Sequence, residues 1–331
     1  MTEVETLLAG AREGRIAHIA RLLSIVENDE PGAADIVRAT YPETGRAVVV
    51  GFTGPPGSGK STLVSAVTAA FRQTGARVAV VAVDPSSPYT GGAILGDRIR
   101  MRDRYLDTGV YIRSMANRGT SGGLARATRR VIGVLDALGF EMVLVETVGV
   151  GQHEIDVSRV VDTVCLLTIP GAGDDIQAIK AGIMEIADIL VVNKADRPGA
   201  EETAKDLTQM LTLGASRLAW RIPVILTSAQ EGTGIDDLIA AIGRHGAWAR
   251  ESGEARRRHS DALRHDIQVL LQERVLQDLA NRIGKQQFDD IVLRVVEKTL
   301  DPYGAVDALL DARGPTGTAG TFSEEPNASD R

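Results

Sequence analysis

The sequence predicts an α/β fold: a mostly parallel central sheet flanked by helices, with helical extensions at both ends. Three observations lead there. Between residues 45 and 250, short β-branched runs alternate with helix-length amphipathic stretches, an order that right-handed crossovers turn into a parallel sheet covered on both faces. The runs are apolar at consecutive positions, as strands buried on both faces require. Outside that span, strand patterns stop and helical spacing takes over.

Residues 1–44 read as an N-terminal helical extension. Leu7, Leu8, Ile16, Ile19, Leu22, Leu23 and Val26 recur at helical spacing, and Pro31-Gly32 breaks it. Within the 45–250 domain, strands are expected at 47–52, 78–83, 110–113, 142–146, 163–169, 188–192 and 223–227. Helices are expected at 60–74, 121–138, 175–187, 200–213 and 234–249. Residues 251–313 form a C-terminal helical segment in which Leu263, Ile267, Leu271, Val275, Leu279 and Ile283 step by four. Leu270 and Leu276 widen that stripe. A stripe of this kind must be covered, either by the chain's own sheet domain or by a second copy, which would make the segment a dimerisation element. Residues 314–331, rich in Gly, Thr, Ser and acidic residues, are expected to be a disordered tail.

Composition narrows the function. The chain has 331 residues, 44% hydrophobic and 24% charged, which suits a globular protein. With 37 Lys+Arg against 44 Asp+Glu, the net charge of −7 argues against a broadly basic nucleic-acid binder. Aromatic residues at 4% leave few candidates for base stacking. The single cysteine, Cys165, excludes an intramolecular disulfide framework and multi-cysteine metal sites, and its place mid-strand suggests core. No apolar run is long enough to cross a bilayer, and the acidic start is unlike a targeting presequence. A cytoplasmic protein that binds neither membrane nor nucleic acid is expected. His18, His153, His245, His259 and His265 are scattered. His245 and His259 are expected on solvated helix faces, while His153, beside the Glu146 loop, is the histidine worth testing.

After the first expected strand come Thr53, Gly54, Pro55, Pro56, Gly57, Ser58, Gly59, Lys60, Ser61 and Thr62. They fit G-x-x-x-x-G-K-S/T between a strand and a helix, the context that this phosphate-binding loop needs. Glycines let successive backbone N–H groups turn inward around phosphate oxygens. The helix beginning near Lys60 points its positive end at the same place. Lys60 adds a charge for the β and γ phosphates, and the Ser61 hydroxyl suits Mg²⁺. The fold is therefore expected to be that of a P-loop NTPase.

Asn193-Lys194-Ala195-Asp196 places N-K-x-D at the end of a later strand. Asp196 would accept hydrogen bonds from guanine's ring N–H and 2-amino group, which adenine does not offer. The Lys194 stem would lie along the base, Asn193 would brace the loop, and a backbone N–H near Ser228 and Ala229 would meet the 6-oxo group. GTP and GDP are thus the expected nucleotides. Glu146-Thr147-Val148-Gly149 stands where most GTPases carry D-x-x-G; Glu146 would serve the metal, and the Gly149 N–H would sense the γ-phosphate. Asp84, ahead of Pro85-Ser86-Ser87-Pro88, reads either as a second Mg²⁺-side carboxylate or as a turn-starting Asp before Pro. Asp97 reads equally well as a helix N-cap. Gln152 is too far from Gly149 to be assigned the attacking water.

Taken together, the cradle residues, Asp84-Pro85-Ser86-Ser87-Pro88, Gly91-Gly92-Ala93-Ile94-Leu95-Gly96-Asp97-Arg98, Glu146-Thr147-Val148-Gly149-Val150-Gly151-Gln152 and Asn193 through Asp196 resemble the methylmalonyl-CoA mutase-associated GTPases. This is the MeaB/ArgK group of the G3E GTPases, and the likeness spans roughly residues 5–310. It implies a homodimeric GTPase that gates adenosylcobalamin loading and protects an adenosylcobalamin-dependent acyl-CoA mutase, methylmalonyl-CoA mutase or a close relative. A cobalamin adenosyltransferase is a further partner that it admits. By motif, Lys60, Glu146 and Gly149 would act in hydrolysis, and Ser61, Asp84, Asp97 and Glu146 would surround Mg²⁺. Asn193, Lys194, Asp196, Ser228 and Ala229 would hold the base. The loop from Pro170-Gly171-Ala172-Gly173-Asp174-Asp175 to Lys180 would be a mobile segment facing the mutase, or else a plain strand-to-helix turn. Hydrolysis is expected to be slow without a partner, since no residue clearly orients water. The alternative is a kinase acting on a small molecule or transport protein.

Overall fold

The computed structural model describes residues 2–85, 107–117, 123–147, 159–171, 186–214 and 219–311. It divides into one compact unit from Met1 to Ala262 and another from Leu263 onward. The first unit opens with three helices, α1 (Glu3–Arg12), α2 (Ile16–Glu27) and α3 (Ala33–Thr40). A capping box starts α1: the Thr2 hydroxyl accepts the Glu5 N–H at 3.2 Å, and the Glu5 carboxylate accepts the Thr2 N–H at 2.7 Å. The expected break falls at Gly32, whose φ of 97° turns the chain into α3.

Among the described residues, seven parallel strands follow: β1 (Val48–Thr53), β2 (Val78–Pro85), β3 (Val110–Asn117), β4 (Met142–Thr147), β5 (Thr163–Thr168), β6 (Ile189–Asn193) and β7 (Val224–Thr227). Their order is β3-β2-β4-β1-β5-β6-β7. Strand β1 is central, and the chain order reverses beside it, the place where sheets of this type bind ligands. Among the described residues, the helices of this domain are α4 (Lys60–Gln73), α5 (Gly123–Ala137), α6 (Ala200–Gly214) and α7 (Ile235–Glu251). The expected helix at 175–187 lies largely outside the described residues.

Successive residues of each strand serve opposite faces. Val49, Ala79, Val81, Val143 and Val145 pack with Ile19, Leu22, Leu23 and Val26 of α2, Ile36 of α3, and Val131 and Leu135 of α5. Val50, Phe52, Val80, Leu144, Cys165 and Val191 pack with Leu63, Val64 and Val67 of α4 and with Leu238 and Ile242 of α7. The N-terminal helices are thus part of the core. Each fully buried Leu or Ile contributes about 1.5–3 kcal/mol, so removing these helices would strip part of the cover from one face and leave α5 in place.

Strand β3 extends to Asn117, beyond the expected end at 113. Arg113 and Ser114 interrupt the apolar run that defined it in the sequence. Arg113 is accommodated because its Nε donates to Glu27 at 2.9 Å and its Nη2 to the Ser24 hydroxyl at 3.2 Å, both on α2. Likewise β2 continues through Asp84 and Pro85, which pair in register with Ala116 and Asn117 of β3 past the last β2–β4 pair, Val83 with Thr147, so one side of the ladder is already open where proline ends the strand.

The helix α8 (Glu254–Val296) follows, interrupted at Gly284, and α9 (Pro302–Asp311) closes the described chain. The Asp301 carboxylate caps α9, accepting from the N–H groups of Tyr303 and Gly304 at 2.9 and 3.1 Å. In α8 the apolar stripe is open: Ile267, Leu271 and Leu276 are 63, 62 and 64% exposed. Among the described residues, no helix is long and apolar enough to cross a membrane.

Candidate functional site

The cradle lies between the end of β1 and the start of α4. Gly54 has φ 140°, and a Cβ there would stand 2.4 Å from the Leu167 carbonyl oxygen of β5. Gly59, with φ 88°, caps α4, and a Cβ on it would meet the Asn193 side-chain nitrogen at 2.5 Å. Only glycine meets both demands, so the two motif glycines let the loop close against the neighbouring strands. Pro55, Pro56, Gly57 and Ser58 form the turn between them, and Thr62 lies in the first turn of α4.

Lys60 is 7% exposed. Its ammonium donates to the carbonyls of Gly54 at 2.8 Å and Pro55 at 3.0 Å. These neutral acceptors are weaker than a phosphate oxygen. The Ser61 hydroxyl donates to Glu146 Oε1 at 2.5 Å. Glu146 is 1% exposed and is flanked in register by Phe52 of β1 and Ala82 of β2. The motif serine and this carboxylate are therefore brought together at the middle of the sheet's carboxyl edge. Hard, buried oxygens of this kind suit Mg²⁺. Asp84 is two residues further along β2 than Ala82, at the same edge; its side chain is not among those described. Asp97, Gly149, Gln152, His153 and residues 172–185 also lie outside the described residues.

The base-reading loop closes on the cradle. Asn193 ends β6, and its Nδ2 donates to the Ser58 carbonyl at 2.8 Å. Its Oδ1 accepts from the Thr227 hydroxyl at 3.1 Å and the Ala229 N–H at 3.3 Å. Asn193 thus ties its loop both to the cradle and to the end of β7, where the Thr227 hydroxyl is a contact that spacing alone does not reveal. Lys194 adopts φ 59°, and its ammonium donates to the Gly57 carbonyl at 2.7 Å. Asp196 is exposed and accepts the Ser228 hydroxyl at 2.7 Å. That hydrogen bond, against a small burial effect, lowers the Asp196 pKa below its ordinary value. The carboxylate therefore stays charged, as a group accepting two N–H donors must be.

Two further features escaped the sequence reading. The Thr147 hydroxyl lies 3.0 Å from that of Thr53, linking β4 and β1 one residue past the Phe52–Glu146 pair of their ladder. Both threonines were visible as neighbours of motif residues, but only the register shows that they meet. His245, expected on a solvated face, is fully buried. It lies on the α7 stripe formed by Leu238, Ile242 and Ala249, a spacing that marks the inward face.

A P-loop that meets an N-K-x-D loop at the carboxyl edge of an all-parallel sheet defines a guanine-nucleotide-binding P-loop protein, a GTPase. Residues 19–283 match the family described as "Methylmalonyl Co-A mutase-associated GTPase MeaB". The chain belongs to that family. It is 46% identical over 310 residues to a putative GTPase of Pyrococcus abyssi, covering 93% of this chain and 96% of the relative. It is 32% identical over 328 residues to the mitochondrial methylmalonic aciduria type A homolog of Mus musculus, covering 93% of this chain and 79% of the relative. Among solved structures, a LAO/AO transport system kinase superposes with a TM-score of 0.68 at 28% identity, covering 94% of this chain and 98% of that one.

Proposed function

We propose that this GTPase is a chaperone that uses GTP binding and hydrolysis to gate adenosylcobalamin loading of an acyl-CoA mutase and to protect that mutase. The client would be methylmalonyl-CoA mutase or a close relative. The observation that carries the reading is the family match across residues 19–283, since the family is named for its association with that mutase. The name of the mouse relative points the same way.

In this reading Gly54 to Thr62 wrap the phosphates, and Lys60 leaves its loop carbonyls for the more strongly accepting phosphate oxygens. Asn193, Lys194, Asp196, Ser228 and Ala229 hold guanine. Ser61 and Glu146, with Asp84 and Asp97, would hold Mg²⁺, which when bound neutralises charge on the β and γ oxygens. Glu146, held by Ser61, orients that donor set. Gly149 would sense the γ-phosphate, and its loss after hydrolysis would change the state offered to the mutase. No described side chain is assigned to the attacking water, so turnover should be slow alone and faster with the partner.

The open stripe of α8 supports a homodimer through the C-terminal segment. A cobalamin adenosyltransferase would be a third component, and the cytoplasm its place of work. A pull-down with and without a non-hydrolysable GTP analogue tests this. Nucleotide-dependent recovery of a cobalamin-dependent mutase is expected; recovery of none counts against it. The superposable protein is called a transport system kinase, which favours a second reading, a kinase acting on a small molecule or transport protein. Labelled GTP separates the two, giving free phosphate from a switch and a labelled acceptor from a kinase.

A further inference from the structure

At the sheet edge opposite the nucleotide cradle lies a buried ionic joint that hydrolysis does not use. Asp188, just before β6, is 3% exposed. Its carboxylate accepts the Val164 N–H at 2.9 Å and both arms of the Arg258 fork, at 2.9 and 3.1 Å. Arg258 lies near the start of α8, where its Nε also donates to Glu254 at 2.8 Å. His245 of α7 completes the joint. Its Nδ1 is 2.8 Å from the hydroxyl of Thr163, the first residue of β5. Its Nε2 is 3.2 Å from Asp188 Oδ1 but off the line of a formed hydrogen bond. Trp220 donates its ring N–H to the Asp188 carbonyl at 2.8 Å. The rings of Trp220 and Trp248 lie 5.0 and 5.6 Å from the imidazole.

The arrangement sets two charged or polar partners, Arg258 and His245, against one carboxylate. Burial alone would raise the Asp188 pKa, but His245 and Arg258 outweigh it and hold the carboxyl below its ordinary value. A buried carboxylate is costly without a partner. Should Arg258 withdraw, the His245 Nε2 already stands within reach to replace it. Each base-reading loop also connects to this joint through one stiff element. Strand β6 runs from the residue after Asp188 to Asn193. Helix α7 runs from Ile235, just past the Ser228–Thr233 bridge, to His245 and Trp248.

We infer that Asp188, His245 and Arg258 form a latch on the root of α8, and that the nucleotide at the opposite edge shifts it between an Arg258-held and a His245-held state. The proposed chaperone function enters only in what α8 would present to a partner. The latch itself needs only the GTPase.

The chain's two tryptophans are Trp220 and Trp248, and both sit in the latch. The base loop is roughly 17 Å away along β6, at about 3.3 Å per residue, so a nucleotide there does not touch them. The wild-type protein is titrated with GDP and with a non-hydrolysable GTP analogue, binding is followed by calorimetry, and tryptophan emission is read at saturation. Emission should differ between the two complexes. The double variant Asp188→Asn/Arg258→Met removes both charges together and so leaves no lone buried ion. It should lose that difference and change the ratio of analogue to GDP affinity by about fivefold or more, as reciprocal coupling requires. Arg258→Lys, which keeps the charge without the fork, should restore part of the ratio. Identical emission in the two saturated complexes overturns the latch. A double variant that weakens both nucleotides equally also overturns it, since the residues would then be merely structural. No mutase is present, so a failed mutase capture remains a separate result.

Discussion

The two edges of the central sheet hold their polar groups in opposite ways. At the carboxyl edge, Lys60 and Lys194 donate to backbone carbonyls of the cradle itself. Charged phosphate oxygens would be stronger acceptors than these carbonyls. At the amino edge, Asp188 and Arg258 meet as a bidentate pair with His245 alongside. A binding site keeps its donors on partners that a ligand can displace. A joint keeps its charges on each other, so deleting one partner leaves the buried carboxylate with a weaker set of contacts.

The sharpest way to break this contrast is Lys60→Ala. Removing the ammonium placed for the phosphates should lower GTP kcat/KM by about a hundredfold or more, measured as phosphate release, with little loss of melting temperature. Next comes Asp196→Asn, which replaces an acceptor-only group by one that also donates. It should narrow the preference for GTP over ATP by about a hundredfold, read from competition binding.

At the other edge the larger loss is in folding, because these residues do not touch the nucleotide and act on it only through the latch. Arg258→Met leaves Asp188 buried without its fork and should cost about 3 kcal/mol in urea unfolding, the low end for a buried pair because Arg258 is partly exposed. The pH dependence sharpens this. The folded Asp188 carboxyl sits below its ordinary 3.8, so its stabilisation is complete above about pH 4 and is lost as pH falls through the lower folded value. The stability gap between wild type and Asp188→Asn should therefore be flat near neutrality and close in acid. The smallest folding effect belongs to Leu271→Asp with Leu276→Asp, on the open stripe. Stability should change by about 0.5 kcal/mol or less, while the proposed dimer should be lost in sedimentation.

The carboxyl edge was largely legible in the sequence because contiguous motifs encode it. Gly54 through Thr62 and Asn193 through Asp196 each lie on one loop, so spacing alone implies their geometry. The strands were legible as apolar runs, except where Arg113 and Asp84 interrupted them. A partner on α2 for Arg113, and a place for Asp84 past the last β2–β4 pair, make those positions tolerable, and both facts are tertiary. The amino-edge joint was not legible, because Thr163, Asp188, His245 and Arg258 come from four separate elements. His245 was misassigned through its chemistry, although its helical spacing with Leu238 and Ile242 pointed inward. The N-terminal helices were legible as helices, but their role as cover for one sheet face was not.

The most direct measurement is a pair of calorimetric titrations of the purified chain with GTP and with ATP, in the presence of Mg²⁺. A cradle read by Asp196 predicts clear GTP binding, with ATP weaker by about a hundredfold or more. Equal affinity for the two nucleotides, or no binding of either, would contradict it.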